Sequence, residues 1–219
     1  MRKVEFANRE IYHVYNRGVE KRDIFVDESD YYRFIYGLYE FNDEQAASNT
    51  RYRSKSINKP NNYPIIMMNK ASRLPLVDIL VFTLMPNHYH LMLRQVNENG
   101  ITRFMRKLGT GYTMYFNKKY DRSGVLFQGK FKAEHLHKKS HFLHLPHYIH
   151  TNPLQLNTRG RTSIEYLMEY RWSSFRDYAG KSSFPFVTSR DFLIDSFGGE
   201  QGVVKYTSER IGLTEVRPR

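Results

Sequence analysis

The chain has no cysteine and a single tryptophan among its 219 residues. The first absence removes disulfides, thiolate metal centres and cysteine nucleophiles together, so any metal must sit on imidazole, carboxylate or amide groups. Long apolar runs are also missing. No stretch approaches the ~20 residues that a membrane span needs, and Met1-Arg2-Lys3-Val4-Glu5-Phe6 lacks the apolar core of a secretory leader. A cytoplasmic protein with no membrane partner is expected. Acidic residues are the third scarcity: 22 Asp and Glu stand against 34 Lys and Arg, a formal charge of +12. An excess of that size on a small chain matches a polyanion, and nucleic acid is the leading partner class.

What is present is enough to fold. Hydrophobic residues make up 40% and aromatics 15% of the sequence, within the range of globular chains despite a mean hydropathy of −0.64. The length suits one domain with appendages. Basic residues come in short clusters, such as Arg17, Lys21 and Arg22, or Arg103, Arg106 and Lys107, or Lys130 and Lys132. Any one of these reads as a solvated face. Their recurrence beside Tyr and Phe is more telling, because cations contact phosphates while aromatic faces stack unpaired bases.

Alternation at Ile11, His13 and Tyr15 predicts a strand over Glu10 to Asn16, broken by Arg17-Gly18. Tyr32, Phe34, Ile35, Leu38 and Tyr39 form a helical stripe, with Asp27 or Ser29 as N-cap. Residues 42–73 are polar and read as an insertion. Leu76 to Met85 is a central strand, Pro86-Asn87 a tight turn, and His88 to Arg94 the returning strand of a hairpin. A helix follows from Ile101 to about Lys119 despite Gly109 and Gly111. Gly124 to His137 is strand-like, and Ser140 caps a last core helix that runs to Thr151 and stops at Asn152-Pro153, with Pro146 as an interruption. The order β, α, β, β, α, β, α predicts an α+β fold: a ferredoxin-like antiparallel sheet with helices on one face. The main domain spans 1–180. Residues 181–219 form a C-terminal accessory segment with strand and helix character at Asp191 to Ile194 and Val203 to Ile211.

His88 and His90 are two apart on a predicted strand, so both imidazoles point to one face. A third ligand would complete a metal site open to substrate oxygens. Asn152 can supply it, and Tyr148, four residues earlier on the same helix, shares its face.

Together, Met85-Pro86-Asn87-His88-Tyr89-His90-Leu91 and Tyr148-Ile149-His150-Thr151-Asn152-Pro153 resemble the signature of single-tyrosine HUH transposases of the insertion-sequence type, the REP-associated tyrosine transposases in particular. Tyr12-His13-Val14-Tyr15-Asn16-Arg17-Gly18, Gly124 to Lys132, and Trp172-Ser173-Ser174-Phe175 extend the likeness over residues 9 to 180. The resemblance implies the HUH fold, with His88, His90 and Asn152 as ligands of Mg²⁺ or Mn²⁺ and Tyr148 as nucleophile. It implies cleavage and rejoining of single-stranded DNA through a 5′-phosphotyrosine and a free 3′-hydroxyl, on DNA that carries hairpins. Arg17, Lys107, Lys130 and Lys132 are then assigned to phosphates. The localisation implied is cytoplasmic and nucleoid-associated, as a monomer or homodimer.

Plainer readings stand beside this one. His135-Leu136-His137 is a rival same-face pair, Tyr112 and Tyr115 are rival nucleophiles, and His144 or His150 could assist proton transfer, while Trp172 reads as a packing anchor. A non-catalytic nucleic-acid-binding descendant of such an enzyme would keep the fold and form no covalent adduct. A phosphodiesterase using water would tolerate loss of the tyrosine hydroxyl.

Overall fold

The computed structural model describes residues 4–45, 73–137, 139–157 and 162–215. The core elements are β1 (Ile11–Arg17), α1 (Glu28–Glu40), β2 (Val77–Met85), β3 (His88–Gln95), α2 (Gly100–Lys119), β4 (Lys132–His135) and α3 (Lys139–Thr151). After α3 come a 3-10 turn (Asn152–Leu156), α4 (Ser163–Glu169), α5 (Phe175–Tyr178), α6 (Asp191–Ser196) and α7 (Glu200–Glu215). The sheet order is β2-β3-β1-β4 with every pairing antiparallel. That is the predicted ferredoxin-like plan, β3 lying between the two strands that α1 connects.

Period-two alternation divides the sheet. Tyr12, Val14, Phe82, Leu84, Tyr89, Leu91 and Leu93 turn to the back, where Phe34 and Leu38 of α1 and Phe104, Leu108 and Tyr112 of α2 close the main core. The front is covered as well, over β2 and part of β3. There Leu80, Val81 and Met92 pack against Leu145 and Ile149 of α3 and against Leu167, Phe175, Tyr178, Leu193, Val203 and Ile211 of the C-terminal helices. A bulge between Ile79 and Val81 lets the consecutive Leu80 and Val81 share that cluster. The helices therefore extend beyond the expected single face.

Local signals explain most boundaries. Asp27 caps α1: its carboxylate accepts from Asp30 N at 3.2 Å, and Asp30 returns the bond to Asp27 N at 3.3 Å. Gly111 sits inside α2 because a Cβ there would meet the Phe41 ring at 2.4 Å. The Pro86-Asn87 turn organises the segment after β1, since Asn87 O accepts from Gly18 N, and Pro86 O from Ile24 N and Phe25 N.

Three local expectations change. Pro146 is buried within a helix that continues through it, because proline's fixed φ is helical and only one backbone bond is forfeited. The strand expected over Gly124 to His137 shrinks to β4: residues 124–131 are irregular, with positive φ at Gly124 and Gly129. Asp191 to Ile194 is helical rather than extended.

Residues 172–189 seal the outer edge of β2. Trp172 O accepts from Leu84 N, Phe82 O from Ser174 N, and Ile79 O from Ser189 N, which blocks further strand pairing there. Trp172 stacks on Tyr31 at 4.4 Å. Phe184 and Val187 join the main core, so residues expected as an accessory segment complete it. The insertion's first residues are anchored, with Asn42 Oδ1 accepting from Leu76 N and Val77 N, while residues 46–72 lie outside the described residues. Among the described residues, no helix is long and apolar enough to cross a membrane.

Candidate active site

The front of the sheet beside α3 gathers the polar side chains. Register sets Tyr15 opposite His90 and Arg17 opposite His88, and on the other side of β1 sets His13 opposite Glu134 and Tyr15 opposite Lys132. Directly opposed residues share a face. His13, Tyr15, Arg17, His88, His90, Lys132 and Glu134 therefore form one polar surface, continuous with the apolar front cluster.

The two predicted ligand histidines are adjacent, with ring centroids 5.1 Å apart and planes at 89°. Each has its Nδ1 engaged. His88 Nδ1–H donates to Asn87 Oδ1 at 2.6 Å, and His90 Nδ1 lies 2.8 Å from His13 Nε2. Burial disfavours protonation of both: His90 is pushed down to about 3, chiefly by desolvation and then by His13 and His88. His88 is also lowered, by desolvation first, with a bond to Asn152 acting against it and Arg17 adding to it. Neutral imidazole is the metal-binding form.

From α3, Tyr148 presents its ring edge to His90 at 5.7 Å and to His13 at 5.9 Å, both at 82°. It is 44% exposed, which is unusual for a large aromatic in contact with a core face. One turn on, Asn152 is 4% exposed; its Nδ2 donates to Tyr148 O at 2.7 Å and its side chain also bonds His88. Tyr148, His88, His90 and Asn152 are thus brought together.

A divalent cation fits this donor set. Both histidines direct their Nδ1 atoms into protein hydrogen bonds, which leaves Nε2 as the nitrogen to face a cation, and Asn152, whose Nδ2 is used on Tyr148 O and whose side chain contacts His88, has Oδ1 as its ligating atom. Among the described residues no three His, Cys, Asp or Glu side chains gather to hold a metal, so a site here would need the Asn152 amide beside the two imidazoles. Two imidazoles and one amide suit borderline Mn²⁺ better than Mg²⁺, which prefers oxygen.

The predicted phosphate contacts separate. Arg17 and Lys132 line a shallow pocket with His88, Tyr15 and Gln128, and Arg17 Nε donates to Gln128 Oε1. Lys130 lies on a groove of about 750 Å³ beside α2, with Arg106, Met114, Val125 and Phe131. Lys107 is on α2, which packs behind the sheet, and its ammonium donates to the carbonyls of Asp43 and Gln45 at 2.5 and 2.8 Å.

The rival readings fall away on geometry. β4 ends at His135, which pairs with Tyr12 of the back face and bonds Glu10 Oε2 at 2.8 Å, so His135 turns away from His88 and His90, and His137, beyond the strand, contacts the His135 ring. Tyr112 is buried with its hydroxyl on Ile24 O, and Tyr115 donates to Asp30. His150 is buried and bonded to Ser174 Oγ at 2.9 Å, which removes it as a proton carrier for Tyr148.

Sequence reasoning had singled out neither His13, Tyr15 nor Glu134 as a site residue. Alternation in β1 placed Ile11, His13 and Tyr15 on one face; that this face is the one carrying His88 and His90 depends on the pairing of β1 with β3.

The IS200-like transposase family matches the chain over residues 46–152. That span holds His88, His90, Tyr148 and Asn152 and leaves β1 outside. Among curated proteins, no significant match is found. Among solved structures, that of a REP-associated tyrosine transposase bound to a REP hairpin superposes with a TM-score of 0.53 at 10% identity, covering 87% of this chain and 92% of that one. At that identity the likeness establishes the fold.

Proposed function

We propose that this relative of the IS200-like transposases, matched to that family over residues 46–152, is a metal-dependent strand transferase acting on single-stranded DNA that carries a hairpin. The observation that carries the reading is Tyr148: a half-exposed phenol set edge-on to His90 and tied through Asn152 to His88.

His88, His90 and Asn152 would hold the cation. When bound, Mn²⁺ or Mg²⁺ supplies Lewis-acid polarisation of the scissile phosphate. Tyr148 Oη attacks phosphorus and gives its proton to solvent, and the bond to the 3′ oxygen breaks as that oxygen takes a proton from solvent. The products are a 5′-phosphotyrosine and a free 3′-hydroxyl. A second 3′-hydroxyl reverses the step, because the phosphoester is exchanged rather than hydrolysed. His13 and His90 hold the Tyr148 ring, and α3 holds its backbone through Asn152, so attack starts from a fixed geometry. Arg17 and Lys132 flank His88 and suit the phosphates on either side of the scissile one, and Lys130, on the groove beside α2, suits a phosphate further from it. Lys107, behind the sheet, serves the junction of α2 with residues 43–45 in this reading.

The hairpin partner of the structural neighbour supports a hairpin substrate here. The test is covalent trapping on a denaturing gel, with Mn²⁺ or Mg²⁺ and labelled single-stranded hairpins from the flanks of the protein's own gene. A metal-dependent adduct absent in Tyr148→Phe is expected. Tight hairpin binding without adduct under either metal would move the protein to the non-catalytic binding reading, and cleavage that survives Tyr148→Phe would point to water as the nucleophile.

A further inference from the structure

The contact between His13 and His90 is a hydrogen bond between two imidazoles, Nε2 to Nδ1 at 2.8 Å, with the rings nearly parallel at 19°. One hydrogen occupies it. If it belongs to His90 Nδ1, then His90 Nε2 is a bare lone pair. If it belongs to His13 Nε2, neutral His90 must carry its own proton on Nε2, and that nitrogen is lost as a ligand. His13 therefore decides whether His90 is ready for a cation.

The surroundings of His13 select between the two. Glu134 is directly across from it on β4, and its carboxylate acts on His13 electrostatically. Glu134 is itself fixed by Tyr15, whose hydroxyl donates to Oε1 at 2.8 Å. A carboxylate on that side favours the proton on His13 Nδ1 and leaves Nε2 as an acceptor. The same nitrogen, committed to His90, is withdrawn from direct ligation.

We infer that His13 is a positioning residue: it accepts from His90 Nδ1–H, holds His90 in the tautomer with Nε2 free, and so makes His90 competent for the divalent cation. Glu134 on β4, His13 on β1 and His90 on β3 follow one another across three neighbouring strands. This inference rests on the metal-site reading above but is decided separately from it.

Two measurements test it. Long-range ¹⁵N NMR of the histidine side chains in metal-free protein reads the tautomers directly; the expected spectrum has His90 protonated at Nδ1 and bare at Nε2, and a proton on His90 Nε2 overturns the proposal. The second is Mn²⁺ affinity, followed by EPR titration. His13→Phe keeps the ring volume and removes the acceptor, and should weaken Mn²⁺ by about 10–100-fold, whereas His13→Gln, with an amide oxygen as acceptor, should stay within a few fold of the parent. Wild-type affinity in His13→Phe overturns the role. If His13→Phe fails to fold, the tautomers of the parent still decide. If no DNA adduct ever forms, the tautomers and the Mn²⁺ affinity remain readable, so failure of strand transfer is not mistaken for failure of this inference.

Discussion

The two faces of the sheet are made by the same strands and differ in how far apolar side chains cover them. At the back, Val14, Phe82, Leu84, Leu91 and Leu93 are fully buried under α1 and α2. At the front, the same strands raise His13, Tyr15, His88 and His90, and only the end near β2 is covered by apolar side chains. One face supplies stability and the other tolerates desolvated polar groups because the first holds the strands in register. Front-face changes should therefore alter chemistry more than stability, and back-face changes the reverse.

The largest effect expected is on chemistry. Tyr148→Phe should lower covalent adduct formation by about 10⁴-fold or more, as loss of a nucleophile does, with a urea midpoint within ~0.5 kcal/mol of the parent, since the hydroxyl makes no structural bond in the core. A large loss of stability in this variant would break the division of labour. Its counterpart is Phe82→Ala, where a fully buried back-face ring is removed. A loss of ~3–5 kcal/mol in urea unfolding is expected, and the folded fraction should still form adduct.

Acid sharpens the same contrast. Burial lowers the proton affinity of His13 to about 4, of His90 to about 3 and of His150 to about 3, from 6.5. The unfolded chain then binds protons that the folded chain refuses. Stability is undiminished above about 6.5 and declines as pH falls from there toward 4 and 3. A urea midpoint equal at pH 7.5 and pH 4.5 would refute this. The smallest effect is electrostatic. Lys132→Ala should cut the slope of log affinity for single-stranded DNA against log salt by about 0.7, the share of one phosphate contact, whereas Lys107→Ala, whose cation serves backbone carbonyls behind the sheet, should leave the slope unchanged.

The sequence by itself determined whatever depends on short-range periodicity. Alternation over two residues aimed His88 and His90 the same way, a four-residue step put Tyr148 and Asn152 on one helix face, and Pro86-Asn87 turned the hairpin, as the structure shows. The order of elements was legible for the same reason. Tertiary structure decided what periodicity cannot carry across elements. The register of β1 against β3 brought His13 to His90, and the docking of α3 on the front face set Tyr148 against both rings. The burial of His150 on Ser174, the division of Lys107 from Arg17 and Lys132, and the use of residues 172–189 to close the β2 edge have the same origin. Periodicity states which way a side chain points relative to its own strand or helix; only long-range pairing, whose cost is chain entropy and whose reward is burial, states what it then faces.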